Sequence, residues 1–177
     1  HKIYKSHYNE FNLYFDKVNL EKLKNSIVMD LGCGIGRWSY ILSEKISLKN
    51  IILSDYSDSI FIARKNLKKF DNAIYLKLDL ENNIIEKNSV DFGFCLGVLH
   101  HLPKNLHQRD VALKNISSWM SETLFYLYYN FDNRGRLFKK IYGFSNIIRL
   151  NLVKIKNLKT RSNLSHFLTI FAYFPFI

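Results

Sequence analysis

The stretch Val28–Ser39, VMDLGCGIGRWS, carries an acid at Asp30 and then glycines at every second position, Gly32, Gly34 and Gly36. Alternate glycines let a backbone turn sharply and approach a ligand closely, because no Cβ intervenes and positive φ is cheap. The spacing D-x-G-x-G-x-G is not that of the dinucleotide fingerprint G-x-G-x-x-G, whose third glycine lies one residue farther along and which sets a pyrophosphate on a helix N-terminus. Two more acids, Asp55 in IILSDYS and Asp79 in LKLDL, close two further apolar runs. Asp30, Asp55 and Asp79 thus stand at the carboxyl ends of three successive expected strands, where open α/β sheets collect their ligands. Any one of them could be a turn or N-cap residue, as Asp favours both; it is the set that points to a site. A fourth run, VDFGFCLGVLHHLP from Val90 to Pro103, closes with His100 and His101. Imidazole titrates near neutrality, so either could serve as a general base or as a polar wall of an acceptor pocket, or the pair could shape the turn into the next helix. His107 reads as helix surface.

The elements that would position these residues alternate. Apolar side chains at Tyr4, Tyr8, Phe11, Tyr14, Phe15, Val18 and Leu23, spaced by three or four, predict a leading amphipathic helix over residues 4–24. Short apolar runs at 27–31, 50–55, 73–80, 90–96 and 123–129 predict buried strands. Segments of helical period lie between them at 37–46, 59–70 and 104–120, the last opened by Pro103 at a plausible first-turn position. Parallel neighbours need a crossover, and the crossover covers a face of the sheet. The expectation is a Rossmann-like three-layer α/β sandwich with a mainly parallel sheet.

Length and composition set outer bounds. The chain has 177 residues, about one domain, enough to bury a core without disulfides or metal. Cys33 and Cys95 stand far apart, with no CxxC or Cys/His pattern, which argues for reduced thiols and against a disulfide framework or a zinc site; the cytoplasm is the expected compartment. There is no signal-peptide pattern, and nowhere do about 18 apolar residues run together. The net charge of +11 permits a nucleic-acid or anionic-lipid partner. Lys, Asn and Ile are abundant together, however, which looks like a coding bias, and nucleic acid is not the favoured partner.

At the glycine loop and the three acids the sequence resembles the class I S-adenosylmethionine-dependent methyltransferases, in particular their small-molecule methyltransferase-domain branch. The resemblance covers roughly residues 1–130 and implies a strand order of 3-2-1-4-5. It also implies S-adenosyl-L-methionine as cofactor, with a sulfonium that needs no phosphate cradle. In that family the loop Gly32–Gly36, Cys33 included, holds the amino-acid end of the cofactor, which Asp30 orients through backbone or water. Asp55 takes the ribose, its two oxygens able to accept from both hydroxyls. Tyr56 lies against the adenine, Asp79 accepts from the exocyclic amine, Leu80 offers a backbone N–H to the ring, and Leu96 and Gly97 border the methionine portion and the donated methyl.

What is missing narrows the class. The Asn/Asp-Pro-Pro-aromatic turn of enzymes that methylate exocyclic amines of DNA bases is not present, nor is the Pro-Cys nucleophile of the cytosine ring-carbon enzymes; the only prolines are Pro103 and Pro175. Ser121 and Glu122 stand where the family usually has a Pro-Gly-Gly turn. The expected activity is methyl transfer to a small-molecule acceptor, with an RNA or protein methyltransferase and a non-catalytic binding module as rivals.

After Asn130 the pattern changes to a basic, aromatic stretch, residues 131–177, expected as a helical extension or lid. Tyr128, Asn130, Asp132, Asn133 and Arg134 fall where the site would open to an acceptor. The tail HFLTIFAYFPFI reads as part of that lid in preference to a membrane-surface anchor. The two antiparallel strands that normally complete the fold are not recognisable before Ile177, and the chain starts at His1, so a truncated domain is expected.

Overall fold

The computed structural model describes residues 5–99, 102, 106–127, 135–155, 157, 159–160 and 162–165. Five strands, β1 (Ile27–Leu31), β2 (Asn50–Asp55), β3 (Ala73–Lys77), β4 (Val90–Leu96) and β5 (Met120–Tyr126), form one sheet in the order β3-β2-β1-β4-β5. Every pairing is parallel. The helices are α1 (Lys5–Tyr14), α2 (Arg37–Lys45), α3 (Ser59–Asn66), α4 (Leu106–Trp119) and α5 (Arg136–Val153). The chain divides into two compact units, residues 1–128 with the whole sheet and residues 129–177 with α5.

The central strands β1, β2 and β4 are largely buried on both faces, which is why they read as unbroken apolar runs rather than alternating ones. The edge strands β3 and β5, also expected to be buried, are half-buried or exposed along most of their length, because among the described residues no further strand or helix covers them on the outer side. Successive side chains of β1 enter different cores: Val28 joins Phe11, Phe15, Ile41, Leu42, Ala63 and Leu67, while Met29 and Leu31 join Ala112, Ile116 and Trp119. Each such fully buried side chain contributes on the order of 1.5–3 kcal/mol relative to exposure.

Element boundaries moved where side chains compete with the backbone. α1 stops at Tyr14, not near Lys24, because Asn19 Oδ1 accepts from Glu21 N at 3.1 Å and starts a separate 3-10 turn, Leu20–Leu23. α3 stops at Asn66, and the Leu67 and Phe70 amides bond back to Ala63 and Leu67 carbonyls in a closing turn. β3 ends at Lys77, so Asp79 lies in the loop beyond the strand rather than at its last residue. β5 runs over 120–126 instead of 123–129. Its ladder starts at the pair Val90↔Met120, and Met120 fills the space beside Gly93, where a Cβ would stand 2.0 Å from Met120 Sδ. α4 therefore leads straight into β5, and Ser121 and Glu122 are strand residues with no room for a turn before them. Among the described residues after Tyr126 no strand follows; the second unit contributes the eighteen-residue helix α5.

Candidate functional site

The order β3-β2-β1-β4-β5 reverses direction at β1, and the loops after β1, β2, β3 and β4 meet at that switch point. The first is built from Gly32, Gly34 and Gly36, with φ of +72°, +54° and +77°. Two of them are glycine because neighbours occupy the space a side chain needs. A Cβ on Gly32 would lie 2.3 Å from Val98 Cγ2, and one on Gly36 2.6 Å from Leu67 Cδ1. Gly34 differs: no atom lies within 4 Å of its notional Cβ, so its backbone faces open space at the edge of the sheet.

The loop is held from the neighbouring strand. Gly32 N and Cys33 N both donate to the Ser54 carbonyl at 2.8 Å, and Gly34 N donates to Asp55 Oδ2 at 2.8 Å. Asn66 of α3 adds a bond from Nδ2 to the Ile35 carbonyl at 2.9 Å. The other Asp55 oxygen accepts from Ser57 N at 2.8 Å and Ser57 Oγ at 2.6 Å. Partial burial raises the Asp55 pKa, but the bonds from Ser57 and Gly34 N outweigh it, holding the carboxyl below its usual range. Asp55 is therefore a fixed anion at the mouth of the loop. Three of its roughly four acceptor positions are already in use, so receiving two further hydroxyls requires Ser57 Oγ to turn away. Ser59 Oγ, 2.6 Å from Ser57 Oγ, gives that hydroxyl another partner.

Asp30 sits deeper. It is buried, and its Oδ2 accepts from Ser39 Oγ of α2 at 2.6 Å. Burial pushes its pKa up to about 7, with the Ser39 bond opposing and the nearby Asp55 charge adding to the rise. Cys33 is buried within the loop and burial pushes its thiol well up, so it is a neutral packing group and not a nucleophile. Asp79 Oδ1 accepts from Glu81 N at 3.0 Å, and Asn115 of α4 fixes the same loop by donating Nδ2 to the Leu80 and Glu81 carbonyls at 2.9 and 3.0 Å. Tyr56, the residue after Asp55, is exposed. Gly97, at φ +79°, donates its N–H to the Tyr126 carbonyl at 3.0 Å, next to Leu96 at the end of β4.

The structure thus brings Asp30, Gly32, Cys33, Gly34, Gly36, Asp55, Tyr56, Asp79, Leu80, Leu96 and Gly97 to the carboxyl edge of one sheet. His100, His101, Tyr128, Asn130, Asp132, Asn133 and Arg134 lie outside the described residues. Sequence reasoning missed Ser39, Ser54, Ser57, Asn66 and Asn115, which orient the loops. Asn115 carried a readable signal, a lone amide on the apolar stripe Ala112, Ile116 and Trp119. It also missed an aromatic cluster beside the site, in which the Tyr14 ring stands 5.4 Å from that of Trp38 and 4.7 Å from that of Tyr126, both edge-on. Among the described residues no group of three or more His, Cys, Asp or Glu is placed to hold a metal.

A family model described as a methyltransferase domain matches residues 29–123, more than half of the chain. No curated protein matches it by sequence. Among solved structures, the chain is similar to a Methanococcus maripaludis protein assigned as an S-adenosyl-L-methionine-dependent methyltransferase, at 18% identity and a TM-score of 0.59 over 94% of this chain and 77% of that one. It is similar to the N-methyltransferase NodS from Bradyrhizobium japonicum, solved with S-adenosyl-L-homocysteine, at 17% identity and TM-score 0.53 over 66% and 56% of the two chains. The magnesium protoporphyrin IX methyltransferase of Synechocystis shares the fold at 20% identity and TM-score 0.50 over 66% and 54%. The chain spans little more than half the length of these last two. It belongs to the methyltransferase-domain family and has the Rossmann-like fold of the class I S-adenosylmethionine-dependent methyltransferases.

Proposed function

We propose that the carboxyl edge of the sheet binds S-adenosylmethionine and that the protein transfers its methyl group to a small-molecule acceptor. The observation that carries this reading is Gly34, whose open face lies one hydrogen bond from the Asp55 carboxylate. Backbone available for close approach and a fixed anion beside it suit a ligand that is a cationic amino acid at one end and a ribose at the other. The residues present fit such a cofactor: the Gly32–Gly36 loop for the amino-acid end, Asp55 for the ribose hydroxyls, Asp79 and the Leu80 amide for the adenine, Tyr56 against its face, and Leu96 and Gly97 beside the methyl.

Bound there, S-adenosylmethionine supplies an activated methyl, so the protein's task is chiefly to orient the acceptor and exclude water. Orientation alone supplies up to roughly 7–11 kcal/mol in favourable cases. Tyr14, Trp38 and Tyr126, from three different elements, form an apolar wall near the end of β4 that serves water exclusion. A base contributes less, and His100 or His101 takes that role where the acceptor carries a proton. The two free, buried cysteines support a cytoplasmic setting.

Titration calorimetry with S-adenosylmethionine tests the binding step. Wild type binds, and Asp55→Ala loses at least about tenfold in affinity, the equivalent of one or more charge-assisted hydrogen bonds. Equal affinity in the two proteins overturns the assignment of the site. A panel of small amines, alcohols and carboxylic acids, run beside RNA and protein substrates with labelled cofactor, then reads the acceptor class.

A further inference from the structure

The positive charge of the chain is not spread evenly. Residues 129–177, the second unit, contain nine lysines and arginines against the single acid Asp132, a net of +8, while residues 1–128 carry the remaining +3 of the total +11. The organised part of this unit is α5. Leu137, Ile141, Phe144, Ile148 and Leu152 recur at the spacing of one helical stripe. Leu137, Ile141 and Phe144 are 72%, 44% and 66% exposed, so the stripe is not part of a core over its first half. Arg136 and Lys140 border that stripe along one edge, with Ile147 between them, and Gly143, Asn146 and Leu150 lie on the side away from it. With polar residues in every turn, α5 is not apolar enough to cross a membrane.

We propose that α5 binds the surface of an anionic lipid bilayer, lying in the plane of the headgroups with Leu137, Ile141 and Phe144 inserted toward the acyl chains and Arg136 and Lys140 level with the lipid phosphates. An apolar stripe bordered along one edge by Arg136 and Lys140, on a helix with no acidic residue, matches the two terms that hold such helices at an interface, buried apolar area and attraction to anionic lipid. A second copy of the chain is a poor occupant of the same face, because each copy brings +8 to the contact. RNA would engage the cations but leaves the aliphatic side chains without a role, since single strands are gripped by charge and aromatic stacking.

The test is sedimentation of the full chain with vesicles of phosphatidylcholine alone or mixed with phosphatidylglycerol. The protein pellets with the mixed vesicles and stays in solution with the neutral ones, and added salt weakens the association. Arg136→Glu together with Lys140→Glu lowers partitioning at least about 25-fold, at about fivefold for each cation lost. Leu137→Glu together with Phe144→Glu abolishes it while the thermal transition of the sheet-bearing unit stays where it was. The proposal is overturned if the chain pellets with neither vesicle or equally with both. It is equally overturned if the Leu137/Phe144 pair is without effect, or if a single-stranded RNA homopolymer binds and vesicles do not compete for it.

Discussion

Replacing Asp30 by asparagine separates the charge of that side chain from its shape. The carboxyl is buried with one side-chain partner, Ser39, and its pKa stands near 7 against an ordinary value of 3.8. Below about pH 4 the acid is protonated whether the chain is folded or not, and burial carries no penalty. Between pH 4 and 7 the unfolded chain loses the proton while the folded one keeps it, so stability falls as pH rises, by about 1.4 kcal/mol per pH unit. Above pH 7 both states are ionised and the loss levels off at about 4 kcal/mol. The amide of the Asp30→Asn variant has no proton to lose. Its oxygen keeps the Ser39 bond, while its NH₂ adds an unpaired buried donor costing about 1–3 kcal/mol at every pH. The difference in unfolding free energy, variant minus wild type, therefore starts negative near pH 4 and climbs by about 4 kcal/mol by pH 7 to 8. Urea unfolding followed by tryptophan fluorescence measures it, since Trp38 and Trp119 both report the sheet-bearing unit. Asp55, whose pKa is shifted the other way, is present in both proteins and largely cancels. A difference that stays flat from pH 4 to 8 would show that Asp30 is ionised at no cost and would refute the reasoning.

Two glycines of the same loop are expected to fail in different ways. Gly36→Ala drives a methyl into Leu67 at a positive φ and lowers unfolding stability by about 2–4 kcal/mol, read by urea titration. Gly34→Ala meets no atom, costs only about 1–2 kcal/mol of backbone strain, and loses cofactor affinity out of proportion to that, read by calorimetry. Asn115→Ala releases the Leu80 and Glu81 carbonyls, destabilises by about 1–3 kcal/mol, and weakens cofactor binding through the loop that carries Asp79. Ser57→Ala removes one of the bonds that favour ionised Asp55; the Asp55 titration, followed by NMR, moves upward, and an unchanged titration would show that the bond has no electrostatic effect.

The sheet was legible because its signals were redundant. β1, β2 and β4 lie where short apolar runs end in an acid or at a glycine, and two-sided burial removes the alternation that would otherwise blur a strand with its loop. What the sequence misplaced were ends. Local periodicity carries apolar spacing through Val18 and Leu23, but the Asn19 side chain closes a turn that periodicity does not register. β5 was displaced by three residues because its start is set by the pairing of Val90 with Met120 and the fit of Met120 against Gly93, a contact between residues far apart in the chain. The same holds for the site. Glycines and acids announce themselves by type and spacing, whereas Ser39, Ser54 and Asn66 become recognisable only when α2, β2 and α3 bring them to the loop.

The twin bonds from Gly32 and Cys33 to the Ser54 carbonyl mean that the glycine loop takes its position from β2, although it belongs to β1. The next residue of β2 is Asp55, which holds Gly34. Both halves of the candidate site are thus indexed to a single register, Asp30 opposite Leu53 and Leu31 opposite Ser54. A slip of one residue would turn Asp55 to the other face of the sheet and leave the loop without its acceptor. No partial assembly of the two strands offers a weakened version of the site, so ligand affinity in this protein is in effect a gauge of correct pairing between β1 and β2.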